Sequence, residues 1–415
     1  MIFDCEQYAG LCECGRDHEL ETKKVVVEYG ALDHFEKYMQ DVGLGSARRA
    51  VVYDTFVYNL PGVKHLKADQ EIVLESKGLR AEDVLIEDMM TKLDSPEVIV
   101  AFGAGTIMDF GRYPAYKLGI PFVAVPTLAS SDGFTASICS AIIKGQKKST
   151  RMKAPALVVA DLDIIKGAPM RLVSSGINDI LAKYVSLADW KIASLVSGED
   201  YCEKIAGLAE DALVTMRAAA DKMAATGEID HEAMTMAQMK SGLTMQLWDN
   251  SRAASGAEHL MAHLVEMHPP RFENAEGIHG ECVGVGTFAA VKEYKRLRKL
   301  TPKAKKFEPL TGEWVMEKFG ERLYDGIMKE NAHDVLGTFD PQNIVDHWDE
   351  IVKLIEEGIP SAEELEELYK ACSCKYLPEH IGIDPELGNE ALYFSAAIRN
   401  RLTLIRMTRV LDFGE

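Results

Sequence analysis

Residues 97–112, which read EVIVAFGAGTIMDFGR, decide the fold. A short apolar run ends in GAGT at 103–106, and a helical pattern carrying Asp109 follows. This order predicts a buried strand, a glycine-rich turn and the start of a helix. Such a turn presents backbone N–H groups at the positive end of a helix dipole, which suits a pyrophosphate. The spacing matches neither the G-x-G-x-x-G fingerprint nor a P-loop, so a tight turn that binds nothing stays open.

The first part of the chain repeats this alternation of strand and helix patterns. Runs rich in Val and Ile, each bounded by Gly, Pro, Ser or Asp, occur at 48–54, 71–76, 121–126 and 155–161. Helical patterns separate them, as at 81–94. Such alternation predicts a parallel sheet wrapped by helices.

Strand patterns become rare after about residue 170, and helical patterns follow one another. The expected helices cover 176–195, 201–224, 231–249, 256–267, 280–297, 313–330, 342–357, 361–372 and 386–411. Gly167 and Pro169 mark the change. We therefore predict an α/β N-terminal domain with a parallel sheet over residues 1–168 and an all-α C-terminal domain over 169–415.

Length and charge narrow the classes of function. The chain has 415 residues, enough for two domains, and a formal net charge of −19. So acidic a protein is unsuited to general nucleic-acid binding or to anionic membranes, which need a basic face. No signal-peptide pattern opens the sequence, and no apolar run approaches the roughly 20 residues that span a bilayer. We expect a cytoplasmic protein with no nucleic-acid partner and no membrane insertion.

The eight cysteines are then expected to be reduced thiols. Cys12 and Cys14 form a Cys-x-Cys pair that His18 follows, a spacing compatible with a small metal site. The second pair of the usual zinc pattern is missing nearby, so the sequence favours loop thiols.

Two further segments follow predicted strands. Asp54 is the last residue of the predicted strand 48–54, where a carboxylate can accept hydrogen bonds from an adenosine ribose. By itself, a turn aspartate is the simpler interpretation. The loop after 121–126 carries Thr127, Ser130 and Asp132. Loops at the carboxyl ends of parallel strands bind ligands in open α/β sheets, but Asx and ST turns would give the same composition.

Three segments of the helical half offer ligands for a first-row metal. Asp179 and Lys183 are four residues apart on one predicted helix, and His259 and His263 are four apart on another, so each pair shares a face. With His279, which precedes a further helix, Asp179 and His259 would form a site with an open position, typical of a catalytic metal, with His263 beside it. Each residue also has an ordinary interpretation as a helix cap, surface or core side chain, and spacing alone does not bring them together.

Taken together, these segments resemble the iron-containing alcohol dehydrogenase superfamily, and within it the sn-glycerol-1-phosphate dehydrogenases, especially their bacterial branch associated with arabinose operons. The matching stretches include GAGTIMD, PTLASSDGFTAS, GINDILAKYVSLADW, SGLTMQLWDNSRAASGAEHLMAHLVEM and IHGECVGVGT, in the family's order across 50–290. The resemblance implies the dehydroquinate synthase-like fold of that superfamily, with the nicotinamide cofactor bound by 1–168 and the metal and substrate by 169–415.

The resemblance also implies roles by position. Asp179, His259 and His279 would hold one divalent metal, for which nickel and zinc are both compatible. Asp132, Asp179 and His263 would contact the substrate, and Asp179 and His263 would take part in catalysis. The residues that would bind the cofactor are Asp54, Gly103, Gly105, Thr106, Ile107, Met108, Asp109, Thr127, Leu128, Ala129, Ser130 and Ala136.

Some positions qualify these roles. Asn178 stands where the family usually has Gly before the metal-binding Asp, and Ala136 stands where the branch often has a cofactor-contacting Ser. An acidic chain needs local cations for a phosphate, and we predict Arg252 and Lys183 for this task. Asp54 disfavours a 2′-phosphate, so NAD(H) is expected to be preferred, with NADP(H) also allowed.

The implied activity is the metal-dependent, reversible reduction of dihydroxyacetone phosphate to sn-glycerol 1-phosphate, in a homodimer or larger homo-oligomer. The alternatives are a dehydrogenase of glycerol or another unphosphorylated polyol, a lyase resembling dehydroquinate synthase, and a catalytically idle nucleotide-binding protein. The polyol enzyme would lack phosphate donors, the lyase would need a more basic pocket, and the idle protein would lack an assembled metal triad.

Overall fold

The computed structural model describes residues 2–3, 5–143 and 146–414. The chain divides into two compact units, and each unit is built from three separate segments of the chain. The first unit comprises Met1–Gly176, Val214–Ala219 and Glu228–Ser251. The second comprises Ile177–Leu213, Ala220–Gly227 and Arg252–Glu415.

The strands of the described residues are short. They are β1 (Ile2–Phe3), β2 (Gly10–Leu11), β3 (Asp17–His18), β4 (Lys24–Glu28), β5 (Arg49–Asp54), β6 (Gln70–Leu74), β7 (Val98–Gly103), β8 (Phe122–Pro126), β9 (Ile138–Ile143), β10 (Gln146–Arg151), β11 (Leu157–Asp161), β12 (Lys303–Ala304) and β13 (Leu411–Asp412).

The helices carry most of the remaining chain. They are α1 (Phe35–Asp41), α2 (Thr55–Tyr58), α3 (Asp83–Thr91), α4 (Gly105–Leu118), α5 (Leu162–Ile165), α6 (Met170–Leu181), α7 (Lys183–Ser197), α8 (Glu203–Thr226), α9 (His231–Leu247), α10 (Ala257–Glu266), α11 (His279–Leu297), α12 (Gly312–Phe319), α13 (Glu321–Glu330), α14 (Gln342–Asp346), α15 (Trp348–Gly358), α16 (Ala362–Ala371), α17 (Pro385–Ser395) and α18 (Leu404–Met407). None of the described helices is both long and apolar enough to span a membrane.

The first unit contains the predicted parallel sheet. Its strand order is β1-β4-β11-β8-β7-β5-β6, and only the two-residue β1 runs antiparallel to its neighbour. Every residue of β7 is buried, as expected for a central strand covered on both faces. Because β5, β7 and β8 are parallel neighbours, their carboxyl ends meet at one edge of the sheet. The loops that follow Asp54, Gly103 and Pro126 therefore begin side by side.

The first unit also includes α9, a helix from the later part of the chain. Residues Met234–Leu247 are nearly all buried, and α9 packs against β4 and the turn Asp132–Phe134. The α9 helix thus supports the loop that follows β8.

The second unit is helical, which confirms the predicted change of architecture. Four expected helices are interrupted. The patterns over 176–195 and 342–357 form α6 with α7 and α14 with α15. The pattern over 313–330 forms α12 and α13, which are separated by Gly320 with a φ of 72°. The pattern over 386–411 forms α17 only to Ser395, after which short turns and α18 lead to β13. Within this unit, α10 packs along α11.

Candidate functional site

The second unit brings the three predicted metal ligands together. Asp179 lies near the end of α6, His259 lies in α10, and His279 begins α11. Asp179 Oδ1 is 3.2 Å from His259 Nε2 and 3.8 Å from His279 Nε2, and the three ligand atoms lie within 4.8 Å of one another. Ligand atoms about 2.1 Å from a tetrahedral ion are roughly 3.4 Å apart. The arrangement therefore fits one divalent ion.

Two carboxylates orient the imidazoles. His259 Nδ1 is 2.8 Å from Glu258 Oε1, and His279 Nδ1 is 3.0 Å from Glu266 Oε1. Because a carboxylate accepts hydrogen bonds, each Nδ1 donates to its glutamate, and this fixes each ring with Nε2 facing Asp179 as the nitrogen that would coordinate a metal ion. Neither glutamate was predicted from the sequence, where the signal for them was an acidic residue directly before His259 and another later in the same helix.

The charges around these atoms favour a cation. Burial lowers the pKa of His259, but hydrogen bonds with Asp179 and Glu258 raise it to about 9. Burial raises the pKa of Asp179, but Lys183, His259 and His279 together bring it well below its usual value. An ionised carboxylate beside an imidazole nitrogen that attracts a proton is a donor set that a divalent metal can occupy.

Close packing of α10 on α11 brings His259 near His279. A Cβ at Gly286 of α11 would lie 2.3 Å from the Glu258 carbonyl oxygen, so glycine is needed for the helices to approach this far. Glu281 fixes the start of α11, since its carboxylate accepts a hydrogen bond from the Ile278 N–H at 3.0 Å.

Asn178, which stands where the resemblance implies a glycine, is accommodated within the second unit. Its side chain is fully buried, and Nδ2 donates to the Lys375 carbonyl oxygen at 3.0 Å. A Cβ at Gly284 would lie 2.2 Å from this Nδ2, so that glycine provides the room. The departure therefore leaves Asp179 within reach of the histidines.

His263 lies beside the triad. Its ring centroid is 6.0 Å from that of His259 and 5.8 Å from that of His279. With Glu266 and His279 it forms a second group of possible ligand atoms within 4.8 Å of one another. His279 directs Nδ1 to Glu266 and Nε2 towards Asp179, and this orientation favours the first group.

The two predicted phosphate-binding cations are both buried. Lys183 Nζ donates to the Asp179 carbonyl oxygen at 2.7 Å and lies 3.9 Å from its carboxylate. Arg252 Nε and Nη2 donate to Glu199 at 2.7 and 3.2 Å, and Nη2 also donates to the Leu402 carbonyl oxygen at 2.6 Å. Arg252 is therefore paired with a carboxylate, whereas Lys183 adjoins a metal-ligand candidate.

The first unit gathers the predicted cofactor residues at one sheet edge. Asp54 ends β5, Gly103 ends β7, and Thr127 follows β8, with its N–H 3.2 Å from the Gly103 carbonyl oxygen. Asp54 Oδ1 accepts a hydrogen bond from the Val57 N–H at 2.8 Å, so it caps α2. The simpler interpretation of Asp54 as a turn residue is correct, and its role at a ribose stays a prediction.

The start of α4 has the features of an anion site. Its N-cap residue, Ala104, makes no side-chain hydrogen bond to the first N–H groups. A Cβ at Gly105 would meet no atom within 4 Å, whereas one at Gly103 would lie 2.8 Å from Ile107. The glycine at position 103 therefore allows Ile107 to pack closely against the backbone, whereas Gly105 borders open space.

The other predicted residues of this helix differ in what they can offer. Ile107 and Met108 are buried, so their side chains serve the core, while Thr106 is half-buried. Asp109 Oδ1 accepts a hydrogen bond from the buried Arg112 at 3.2 Å. Arg112 also donates to the Gly133 carbonyl oxygen at 2.6 Å, which ties the helix to the next loop.

The loop after β8 is held by α9. Asp132 is buried, and its Oδ2 accepts a hydrogen bond from Ser241 at 2.8 Å. Thr135 Oγ1 donates to the Met239 carbonyl oxygen at 2.8 Å, and Ala136 beside it is buried. The residues Leu128, Ala129 and Ser130 are half-buried. Ser241 could not be predicted from the sequence, because only the folded chain brings it to Asp132.

A change at Glu258 tests how its charge acts on His259. Glu258 Oε1 accepts a hydrogen bond from the Gly256 N–H at 2.7 Å and faces His259 Nδ1 at 2.8 Å, so Glu258→Gln can keep both contacts but loses the negative charge beside the imidazole. We expect metal affinity to fall roughly 10- to 100-fold with little change in thermal stability. Competition with a chelating dye measures the affinity, and an unchanged value would show that the charge of Glu258 does not strengthen His259 as a ligand.

Comparisons with known proteins identify the family of the chain. Residues 26–169 match the family model for iron-containing alcohol dehydrogenases. A glycerol-1-phosphate dehydrogenase (NAD(P)+) of Geobacillus stearothermophilus is 32% identical over 97% of this chain and 96% of its own length. The enzyme of the same name from Hyperthermus butylicus is 33% identical over 65% of this chain and 78% of its own length.

Solved structures share the fold at low sequence identity. An iron-containing alcohol dehydrogenase from Corynebacterium glutamicum superposes with a TM-score of 0.61 at 13% identity, covering 96% of this chain and 97% of that one. A glycerol dehydrogenase from Schizosaccharomyces pombe gives 0.54 at 17% identity, covering 96% and 98%. Because the relative from Geobacillus stearothermophilus is 32% identical over nearly the whole chain, the chain belongs to the glycerol-1-phosphate dehydrogenases of the iron-containing alcohol dehydrogenase family.

Proposed function

We propose that this chain reduces dihydroxyacetone phosphate reversibly to sn-glycerol 1-phosphate, using NAD(P)H and one divalent metal ion. The convergence of Asp179, His259 and His279 is the observation that carries the proposal, and the names of the full-length relatives support it. When bound, the metal supplies a Lewis acid for the ketone and the nicotinamide supplies the hydride.

The side chains of the second unit would then bind the substrate and move a proton. Lys183 keeps Asp179 ionised, because its charge lowers the pKa of that carboxyl group. His263 is half-buried beside the triad and would donate a proton to the new hydroxyl oxygen. In the first unit, Asp132 would accept a hydrogen bond from a substrate hydroxyl, with Ser241 fixing the carboxylate.

The cofactor would bind at the first unit's sheet edge. Backbone N–H groups at Gly105 and Thr106 would hold the pyrophosphate, because α4 begins there with no capping side chain. Asp54 would face the adenosine ribose and repel a 2′-phosphate, so we propose a preference for NAD(H). Zinc and nickel both suit the imidazole and carboxylate donors.

Of the two predicted phosphate-binding cations, the contacts favour Lys183. Arg252 is paired with Glu199, so a substrate phosphate would have to displace a carboxylate. We therefore propose a structural role for Arg252. If it bound the phosphate instead, Arg252→Glu would raise KM for dihydroxyacetone phosphate much more than KM for NADH.

We further propose a cytoplasmic homodimer or larger homo-oligomer whose partners are small molecules. The eight cysteines form no disulfide, in keeping with a reducing compartment. Sedimentation of the purified protein would give the number of subunits.

Turnover of two ketones tests the proposed reaction. Chelator-stripped protein is supplied with zinc or nickel, and NADH oxidation is followed with dihydroxyacetone phosphate and, in parallel, with dihydroxyacetone. We expect metal-dependent turnover with strong preference for the phosphorylated ketone, and chiral chromatography of the product should give sn-glycerol 1-phosphate. Preference for dihydroxyacetone would instead indicate a polyol dehydrogenase, and no turnover of either would favour the lyase or the idle nucleotide-binding protein.

A further inference from the structure

A hairpin in the first unit joins two thiols and an imidazole. Its strands β2 and β3 pair antiparallel, and Cys12 and Cys14 lie in the turn between them. The sulfur atoms of Cys12 and Cys14 and one ring nitrogen of His18 all lie within 4.8 Å of one another. Cys14 Sγ is 3.4 Å from His18 Nε2. Around a tetrahedral zinc ion, a thiolate sulfur and an imidazole nitrogen are roughly 3.6 Å apart.

The backbone of the turn keeps these groups together. The Cys12 N–H donates to the Arg16 carbonyl oxygen, and the Gly15 N–H donates to the Cys12 carbonyl oxygen, both at 2.9 Å. Gly15 has a φ of 84°, a left-handed conformation that favours glycine. The chain therefore reverses directly after Cys14 and returns to His18.

His18 is oriented as a metal ligand. Its Nδ1 is 2.9 Å from the Leu247 carbonyl oxygen, and the side chain is only 2% exposed. A carbonyl oxygen can only accept, so Nδ1 carries the hydrogen and the Nε2 lone pair faces Cys14. Metal-binding histidines commonly donate their other ring N–H to a carbonyl oxygen in this way.

We propose that Cys12, Cys14 and His18 of the first unit bind a structural zinc ion, in addition to the catalytic metal of the second unit. Thiolate and imidazole donors suit zinc, whereas the catalytic triad offers only nitrogen and oxygen. The sequence alone favoured loop thiols, because it contains no second Cys pair nearby. The hairpin geometry reverses that preference.

The ion would hold the hairpin against the end of α9. Besides the His18 bond to Leu247, the Arg16 guanidinium lies 4.1 Å from the Trp248 ring centroid. The same end of α9 carries Gln246, whose amide donates to Thr22 Oγ1 at 2.7 Å and to the Thr135 carbonyl oxygen. The proposed site therefore stabilises the helix that supports the loop carrying Asp132.

Metal counting on the full-length protein tests the proposal. After reconstitution with zinc and removal of excess metal, elemental analysis should find two ions per unaltered chain. The double variant Cys12→Ser/Cys14→Ser should retain one ion and unfold at a lower temperature, and His259→Ala should also retain one. Cys372→Ser removes a buried thiol that donates to the Ala220 carbonyl oxygen, and this control should keep two ions.

Cobalt substitution gives a second readout that does not depend on a variant folding. The unaltered protein loaded with Co²⁺ should show a near-ultraviolet thiolate-to-cobalt band with the intensity of at least two thiolates. His259→Ala should keep this band. A cobalt protein without the band, or a double serine variant that still binds two ions, would overturn the proposal.

Discussion

His259→Ala is expected to remove the catalytic metal and to lower kcat/KM for dihydroxyacetone phosphate at least about 1,000-fold. The substitution deletes one of three ligands and leaves Asp179 and His279, whose facing atoms are 3.8 Å apart. It also leaves the buried Glu258 without the ring that it orients. Elemental analysis and steady-state kinetics at saturating NADH measure the two effects.

His263→Ala is the matched control, since it deletes the neighbouring imidazole on the same face of α10. This variant should keep its metal and lose roughly 10²- to 10⁴-fold in kcat, the usual contribution of a general acid. The reverse pattern, with metal lost from the His263 variant and kept by the His259 variant, would show that His263, Glu266 and His279 hold the ion instead.

Gly105→Asp should raise KM for NADH roughly 10²- to 10³-fold while leaving the protein at least as stable. A carboxylate at the first residue of α4 interacts favourably with the helix dipole, by about 0.3–1 kcal/mol. A Cβ at this position meets no atom within 4 Å, so the change introduces no clash. The same carboxylate would repel a pyrophosphate about 4 Å away by roughly 4 kcal/mol at an effective dielectric constant near 20.

Gly105→Asn separates charge from size, because asparagine has nearly the same shape and no charge. Its KM for NADH should rise much less than that of the aspartate variant, and the difference should shrink as ionic strength increases. Thermal denaturation reports the stability of both variants. If the two had the same KM as the unaltered protein, the pyrophosphate would not bind at the start of α4.

Local sequence patterns were sufficient for most of the sheet. Apolar runs bounded by turn residues are typical of buried parallel strands. Such runs correspond to β5, β6, β7, β8 and β11. The strand β4 was missed because its three valines are flanked by Lys and Glu rather than by turn residues. In the helical half, Gly320 and the early end of α17 were missed because a helical pattern does not show where the backbone turns.

The candidate site was predictable as a set of residues and not as an arrangement. Spacing placed His259 and His263 on one face and made Asp179 and His279 candidate ligands, and the family resemblance implied that the ligands converge. The roles of Glu258, Glu266 and Ser241 depend on which atoms face each other after folding, so no local pattern carries them. For the same reason, the sequence did not show that Arg252 is paired with Glu199.

The membership of α9 in the first unit has a consequence for synthesis. The first unit needs Glu228–Ser251, yet residues 177–213 of the second unit leave the ribosome earlier. A nascent chain shorter than about 251 residues therefore carries an incomplete sheet domain. In this domain Ser241, the hydrogen-bond donor to Asp132, has not yet been added, and the face of β4 that packs on α9 is exposed to solvent. Such an intermediate exposes apolar surface and is prone to aggregate, so this enzyme should depend on chaperones until its ninth helix has been made.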